Sequence, residues 1–322
     1  MTMHKPLLTA IRSRIGGLVW GRRLAHGGVR TWMHEAVVRR YINASVSGSP
    51  DCWPTDWLQS LVRPHHFSTA VSLGCGDGPL DRDLVAKGIC SSILGIDISQ
   101  GALELARAKA AALGLVGVEY RQGDLNSLDL PRGVFDAAFA HQALHHVEDL
   151  DGCLAMTASA LRPGAMLYVD EYVGPSRGEW TTAMIAEADR LFVSLPASVK
   201  RRRHIGVPVD RRDPTEGVRS SEILSTVSRY FRTEERRDYG GNFLAVIHPH
   251  LRLDQLSPAE RDDLLRSIIE AEIEHLRSGA ASWYTVLIAI PRSQGGIGQS
   301  VAGAETSARA PAEHAGNLTN WN

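Results

Sequence analysis

The stretch Ala70 to Gly78, AVSLGCGDG, combines residue types suited to holding a small ligand. A short apolar run ends in three glycines, Gly74, Gly76 and Gly78, with Cys75 and Asp77 between them, and a helix-like segment follows. In a strand, loop and helix unit such glycines permit left-handed torsions and let a ligand approach where a Cβ would collide. A second apolar run, Ser92 to Asp97, ends in a carboxylate. It lies roughly twenty residues past the loop, where an acid can accept hydrogen bonds from ribose hydroxyls.

The loop itself narrows the ligand. A dinucleotide fingerprint beginning at Gly74 requires a third glycine at position 79, and that residue is Pro79. A proline removes one of the bare N–H groups that a helix N-terminus presents to a diphosphate. Glycines in the order GxGxG, closed by proline, suit a ligand without phosphates, and S-adenosylmethionine is such a ligand. A nicotinamide-dependent oxidoreductase would use the same Asp97 and is the less favoured reading.

From here the chain resembles the class I S-adenosylmethionine-dependent methyltransferases of small-molecule type, motif by motif and in order. LGCGDG (Leu73 to Gly78) and GIDIS (Gly95 to Ser99) are similar to the first two family motifs. QGDLNSL (Gln122 to Leu128), FDAAFAHQALHHV (Phe135 to Val147) and LRPGAMLYVDE (Leu161 to Glu171) resemble the segments around the third, fourth and fifth strands. The resemblance implies S-adenosylmethionine as cofactor, held by Gly74, Cys75, Gly76, Asp77, Gly78, Asp97, Ile98, Asp124, Leu125 and His141. In that scheme Asp97 takes the ribose, Ile98 packs on the adenine ring, and Asp124 meets the adenine amino group beside the Leu125 backbone. Asp77 and Asp81 are candidates for the methionine ammonium, although Asp81 equally suits a helix N-terminus and Asp124 equally suits the cap of a turn.

Methyl transfer from a sulfonium requires alignment above all, with a base useful where the acceptor holds a proton. A carboxylate beside the sulfur would stabilise the reactant more than the transition state, so Asp97 is expected away from it. His141 follows the fourth strand directly and His145 and His146 lie a turn further on; histidine titrates nearest neutrality. His141, His145, Asp170 and Glu171 are the catalytic candidates, against the alternative that the LHH run only shapes a loop.

The apolar pattern alternates between strand and helix periods, as a doubly wound α/β sheet requires. Strands are expected at Ala70 to Leu73, Ser92 to Asp97, Val118 to Arg121, Phe135 to Ala140 and Met166 to Tyr172, then as an antiparallel pair at Arg232 to Tyr239 and Trp283 to Ile290. That makes a mostly parallel, seven-stranded sheet of Rossmann-like methyltransferase type with helical cap insertions. The expected division is a basic N-terminal segment at 1–34, a cofactor-binding core with N-terminal helices at 35–173, and an acceptor-side cap at 174–219. The rest of the core follows at 220–292, with a helical insertion at about 241–279 of open placement and a helix at Pro258 to Arg277. A disordered tail is expected at 293–322, rich in Gly, Ala, Ser and Asn.

Composition fits an enzyme with a substantial core: 322 residues, 43 % hydrophobic, formal net charge −1. That balance argues against a general nucleic-acid binder. Cys52, Cys75, Cys90 and Cys153 lack metal-ligand or disulfide spacing, so no metal is expected and a reducing cytoplasm is the default. No stretch reaches the ~18 apolar residues of a membrane span. Residues 1–34 carry Lys5, Arg12, Arg14, Arg22, Arg23 and Arg30 without an acid. Ile11, Ile15, Leu18 and Val19 would share a face there, giving either a loosely docked helix or, less favoured, peripheral membrane contact. Gly16 and Gly17 weaken any such helix.

The basic run Lys200 to Arg203 with Arg211, Arg212 and Arg219 reads as a solvated face, or as a hint of an anionic acceptor. Trp180, Phe192, Tyr172 and Tyr239 are candidates for an apolar pocket or for core. The expected function is methyl transfer to a small molecule, with O-methylation favoured by family frequency. A non-catalytic S-adenosylmethionine-binding protein is the alternative.

Overall fold

The computed structural model describes residues 5–26, 31–63 and 65–292; the tail expected at 293–322 lies outside them. Seven strands form one sheet: β1 (Phe67–Leu73), β2 (Cys90–Asp97), β3 (Val118–Gln122), β4 (Phe135–His141), β5 (Leu161–Tyr172), β6 (Phe231–Gly240) and β7 (Tyr284–Pro291). Their order is β3-β2-β1-β4-β5-β7-β6. Strands β1 to β5 pair in parallel, and β7 runs antiparallel to both β5 and β6. The order reverses between β1 and β4, the switch point at whose carboxyl side open α/β sheets bind their ligands.

Ten α-helices are described: α1 (Lys5–Ala25), α2 (Ala36–Ser47), α3 (Pro54–Val62), α4 (Pro79–Ala86), α5 (Gln100–Ala112), α6 (Leu150–Ala160), α7 (Thr182–Ser194), α8 (Ile223–Tyr230), α9 (Leu244–Ile247) and α10 (Pro258–Arg277). Local chemistry sets their ends. Pro79 opens α4 with its φ already helical and its missing N–H unneeded. The Ser99 hydroxyl accepts from the Ala102 N–H to cap α5, and Ser257 with Glu260 forms a capping box at α10.

Both faces of the sheet are covered, so its central strands read as continuous apolar runs. In β4, Ala137 and Phe139 face a layer built with α2, α3, α7 and α10, while Ala138 and Ala140 face α6 and α8. The expected strand set holds with longer ends, since β1 begins at Phe67 and β5 at Leu161. The expected helix at Pro258 to Arg277 is present in full.

One placement was left open by the sequence and one differs from expectation. Strand β6 runs parallel to β1–β5, because the single reversal lies at β7, so the 241–283 connection leaves the same carboxyl edge as the cap. Helix α1 docks by the opposite face from that predicted. Ile11, Ile15 and Leu18 are exposed, while Ser13, Gly16 and Gly17 are buried. The glycines that cost helix propensity allow backbone contact here. A Cβ on Gly17 would lie 2.7 Å from Ile98 Cγ2, and one on Gly21 2.5 Å from Ser99 Oγ.

Candidate active site

The glycine loop joins β1 to α4 with Gly74, Gly76 and Gly78 all at positive φ. Bulk is excluded at its ends: a Cβ on Gly74 would meet that of Ala143 at 2.4 Å, and one on Gly78 would meet the Tyr120 hydroxyl at 2.1 Å. Gly76 is different, since a Cβ there would approach nothing closer than Trp20 Nε1 of α1, at 3.4 Å. The middle of the loop is therefore buried beneath Trp20 of α1, with no other side chain within 4 Å of where a Cβ would stand.

Asp97, at the end of β2, ties the loop to its own strand. Its Oδ2 accepts from Gly76 N–H at 2.9 Å and its Oδ1 from Ser99 N–H at 2.8 Å. Burial raises its pKa and the backbone donors oppose that rise. Each carboxylate oxygen has a second lone pair, so the geometry leaves capacity for ribose hydroxyls. Asp124 accepts from the Asn126 backbone and side chain, capping a turn as the alternative reading had it. Asp77 pairs with Lys109 of α5 rather than standing clear for an ammonium. Cys75 lies beneath the loop, and burial keeps its thiol protonated. Leu125 adjoins Gly74, and Ile98 carries Gly17 of α1 on its Cγ2.

Asp81 is wholly buried, with Ser72 of β1 beside its carboxyl group. Burial pushes its pKa up to about 7.

At the ends of β4 and β5, His141 and Asp170 are cross-strand neighbours, with Nε2 3.6 Å from Oδ2. The Tyr239 hydroxyl donates to the other Asp170 oxygen at 2.6 Å. Gln142, at φ 52°, turns the chain sharply after β4, and Glu171 holds the turn that follows. Its Oε1 accepts the N–H groups of Ala143 and Leu144, while its Oε2 accepts from His145 Nδ1 at 2.7 Å. Burial raises the Glu171 pKa, but the His145 charge and the amide donors outweigh it and hold the pKa below the usual range. His145 moves the other way. Burial lowers its pKa, yet Glu171 carries it up to about 9. The Glu171 oxygens thus accept from Ala143, Leu144, His145 and Tyr172, contacts that tie the turn to the end of β5.

The cap and the β6–β7 connection enclose a cavity of about 170 Å³ at the same edge, lined by Tyr172, Arg177, Trp180, Glu216, Trp283 and Tyr284 among others. Of the aromatic candidates, Tyr172 and Trp180 reach it, while Phe192 and Tyr239 belong to the core. The basic run does not line it. Arg201 pairs with Asp254, Arg219 pairs with Glu222, and Lys200 lies over Phe192. Arg177, Glu216, Trp283 and Tyr284 were not singled out from sequence. The turn-forming DPTEG at Asp213 to Gly217 was the available signal for Glu216.

Helix α1 spans this edge. Besides Trp20 over Gly76 and Gly17 on Ile98, Ser13 Oγ accepts from Asn126 Nδ2 at 2.9 Å and Arg23 pairs with Asp210 of the cap.

A strand order reversing at a glycine loop, with an acid at the end of the next strand, agrees with a class I methyltransferase core. Residues 71–169 match the family model described as a methyltransferase domain, and this segment belongs to the class I S-adenosylmethionine-dependent methyltransferases. Trans-aconitate 2-methyltransferase of Deinococcus radiodurans is 34 % identical over 116 residues, 36 % of this chain and 42 % of that protein. A ubiquinone biosynthesis O-methyltransferase of Paramagnetospirillum magneticum is 28 % identical over 127 residues, 39 % of this chain and 49 % of that protein. The chain thus spans under half the length of each of these two relatives. A solved S-adenosylmethionine-dependent methyltransferase from Mesorhizobium loti aligns over 74 % of this chain and 97 % of its own, at 21 % identity and TM-score 0.44. No helix among the described residues is long and apolar enough to cross a membrane.

The residues fit the family's cofactor, S-adenosylmethionine. Gly76 offers a surface that a Cβ would fill, Asp97 retains acceptor capacity, and Pro79 follows the loop where a phosphate-binding helix would present an N–H.

Proposed function

We propose that the protein transfers a methyl group from S-adenosylmethionine to a small-molecule acceptor held in the cavity between the cap and the ends of β5 and β7. The observation that carries this reading is the shared edge: the glycine loop, beneath Trp20 of α1, and the aromatic cavity both lie at the carboxyl ends of the parallel strands. The bound cofactor supplies an electrophilic methyl on a sulfonium, so alignment accounts for most of the acceleration.

In this reading the main chain at Gly74 to Gly78 and Asp97 hold the amino-acid arm and the ribose, with Ile98, Asp124 and Leu125 around the base. Asp77, committed to Lys109, shapes the loop. His141 and Asp170 are the groups that take an acceptor proton, whereas His145 and Glu171 fix the turn that follows β4. O-methylation is favoured by family frequency, and two relatives are named as O-methyltransferases. Tyr172, Trp180 and Tyr284 suit a flat or apolar acceptor body, and Arg177 suits an anionic group on it.

The test is incubation of the protein with methyl-labelled cofactor and a fractionated small-molecule extract. Labelled product in a small-molecule fraction, lost when His141→Ala or Asp170→Asn lowers turnover at unchanged cofactor affinity, is the expected result. Cofactor binding without product in any fraction identifies a non-catalytic binder, and stabilisation by NADH but not by S-adenosylhomocysteine identifies an oxidoreductase.

A further inference from the structure

We propose that His145, His146 and Glu216 form a divalent-cation site of two imidazoles and one carboxylate, set in the wall of the acceptor cavity. One ligand atom from each residue lies within 4.8 Å of the others. Nε2 of His145 is 3.8 Å from Oε1 of Glu216, and Nε2 of His146 is 3.8 Å from Oε2. Both separations are too long for a hydrogen bond. They suit an ion between the atoms: at metal–nitrogen and metal–oxygen distances of about 2.0–2.2 Å, tetrahedral ligands stand roughly 3.4 Å apart, so a small contraction closes the site.

The hydrogen-bond network fixes which ring nitrogens are available. His145 Nδ1 faces the Glu171 carboxylate at 2.7 Å, and a carboxylate accepts, so this nitrogen carries the proton. The Thr215 hydroxyl donates its one proton to Asp213 Oδ1 at 2.6 Å. Its oxygen therefore accepts from His146 Nδ1–H at 3.0 Å. In the neutral form of each ring the lone pair is left on Nε2, and both Nε2 atoms converge on Glu216. Because Glu171 carries the His145 pKa up to about 9, the ion takes the place of the His145 Nε2 proton, which is released on binding. Histidine ligands held through the far nitrogen by a carboxylate or hydroxyl are the arrangement that fixes ring orientation in metal sites.

The charge around the cluster favours a cation. Three carboxylates, Glu171, Asp213 and Glu216, surround the two rings, and among the described residues no lysine or arginine forms an ion pair with any of them. Two imidazoles with one carboxylate select a borderline transition ion such as Zn²⁺ over Mg²⁺ or Ca²⁺, and three protein ligands leave a position open. Glu216 lines the cavity and His145 lies 6.2 Å, ring centre to ring centre, from cavity residue Tyr172. The open position thus serves an acceptor oxygen. That last step rests on the acceptor reading, while the ion site does not.

The experiment is titration of the full-length, chelator-treated protein with Zn²⁺ and, separately, Mg²⁺ by isothermal calorimetry, with metal content counted after dialysis. His146→Ala and Glu216→Gln are the variants, chosen because both side chains are partly exposed, and each is melted first to confirm folding. The site predicts a Zn²⁺ equivalent that each variant loses or binds at least tenfold more weakly, with S-adenosylhomocysteine binding retained. Absence of Zn²⁺ binding to the wild type, an equivalent unaffected by both substitutions, or tighter binding of Mg²⁺ overturns the site. Zn²⁺ binding without methyl transfer to any acceptor would leave the ion site standing and remove the acceptor reading.

Discussion

Glu171 Oε2 lies 2.7 Å from Nδ1 of His145, and both side chains are buried in the turn that follows β4. The pair orders the stretch from Ala143 to His146 because the other Glu171 oxygen takes two of that turn's N–H groups. Removing the carboxylate strands these donors and the imidazole together. Glu171→Ala is expected to lower stability by about 3–5 kcal/mol, the range for breaking a buried pair, as read from urea unfolding. Loss of turnover at full stability would restore Glu171 as a catalytic base.

The same pair sets a pH window. His145 has its folded pKa raised to about 9, so its contribution is complete below its unfolded value near 6.5 and is lost as pH climbs through about 9. Glu171 has its folded pKa depressed, so its contribution is complete above its unfolded value and is lost in acid. The difference in unfolding free energy between wild type and Glu171→Ala should therefore be largest between about pH 4.5 and 6.5 and shrink toward pH 9. A difference that grows with pH contradicts this assignment.

Asp81 acts in the opposite sense. An acid whose folded pKa is raised to about 7 binds more protons when folded, so stability falls as pH rises from its unfolded value toward 7. Asp81→Asn removes that dependence and should raise the melting temperature at pH 8 far more than at pH 5. Equal shifts at the two pH values would mean that Asp81 is already ionised in the fold.

Asp97→Ala removes the acceptor from Gly76 and Ser99 as well as from the ribose. Calorimetry with S-adenosylhomocysteine should show a loss of about 1.5–3 kcal/mol, as for a charge-assisted hydrogen bond, with a lowered melting temperature. Unchanged affinity would place the ribose elsewhere.

The docking of α1 depends on the glycines of its inner face. Gly17→Val drives a side chain into Ile98, whose Cγ2 would lie 2.7 Å from the new Cβ. The variant should free the helix and speed tryptic cleavage at Arg22 and Arg23 while the core melts as before. Cleavage at the wild-type rate would show that α1 does not dock through this face.

The sheet was legible in the sequence because both faces of β1, β2 and β4 are buried, leaving apolar runs bounded by glycines, Ser99 and Pro79. Helix α10 was legible because Ser257, Pro258 and Glu260 spell its start. Local signals failed where tertiary contact decides. Gly16 and Gly17 read as helix breakers, yet Gly16 lets α1 meet Thr215 and Asp213 of the cap and Gly17 lets it meet Ile98 after β2, backbone to side chain. Glu216 is one charge in a polar loop, and only the fold of the cap brings it to His145 and His146. The basic run suggested an anion site through its density, but Arg201, Arg219 and Lys200 are drawn off to Asp254, Glu222 and Phe192, and no member of the run lines the cavity. Asp170 and Glu171 looked equivalent as adjacent acids. Strand alternation separates them, sending Asp170 to Tyr239 and Glu171 to the turn.

The central claim is that the main chain at Gly76, with Asp97 beside it, receives the cofactor. It is tested most directly by calorimetric titration of S-adenosylhomocysteine into the full-length protein and into Gly76→Val, both confirmed folded by circular dichroism. Saturable one-to-one binding to the wild type and none to the variant is the predicted result. No heat from the wild type with either S-adenosylhomocysteine or S-adenosylmethionine, or equal binding by both proteins, would contradict it.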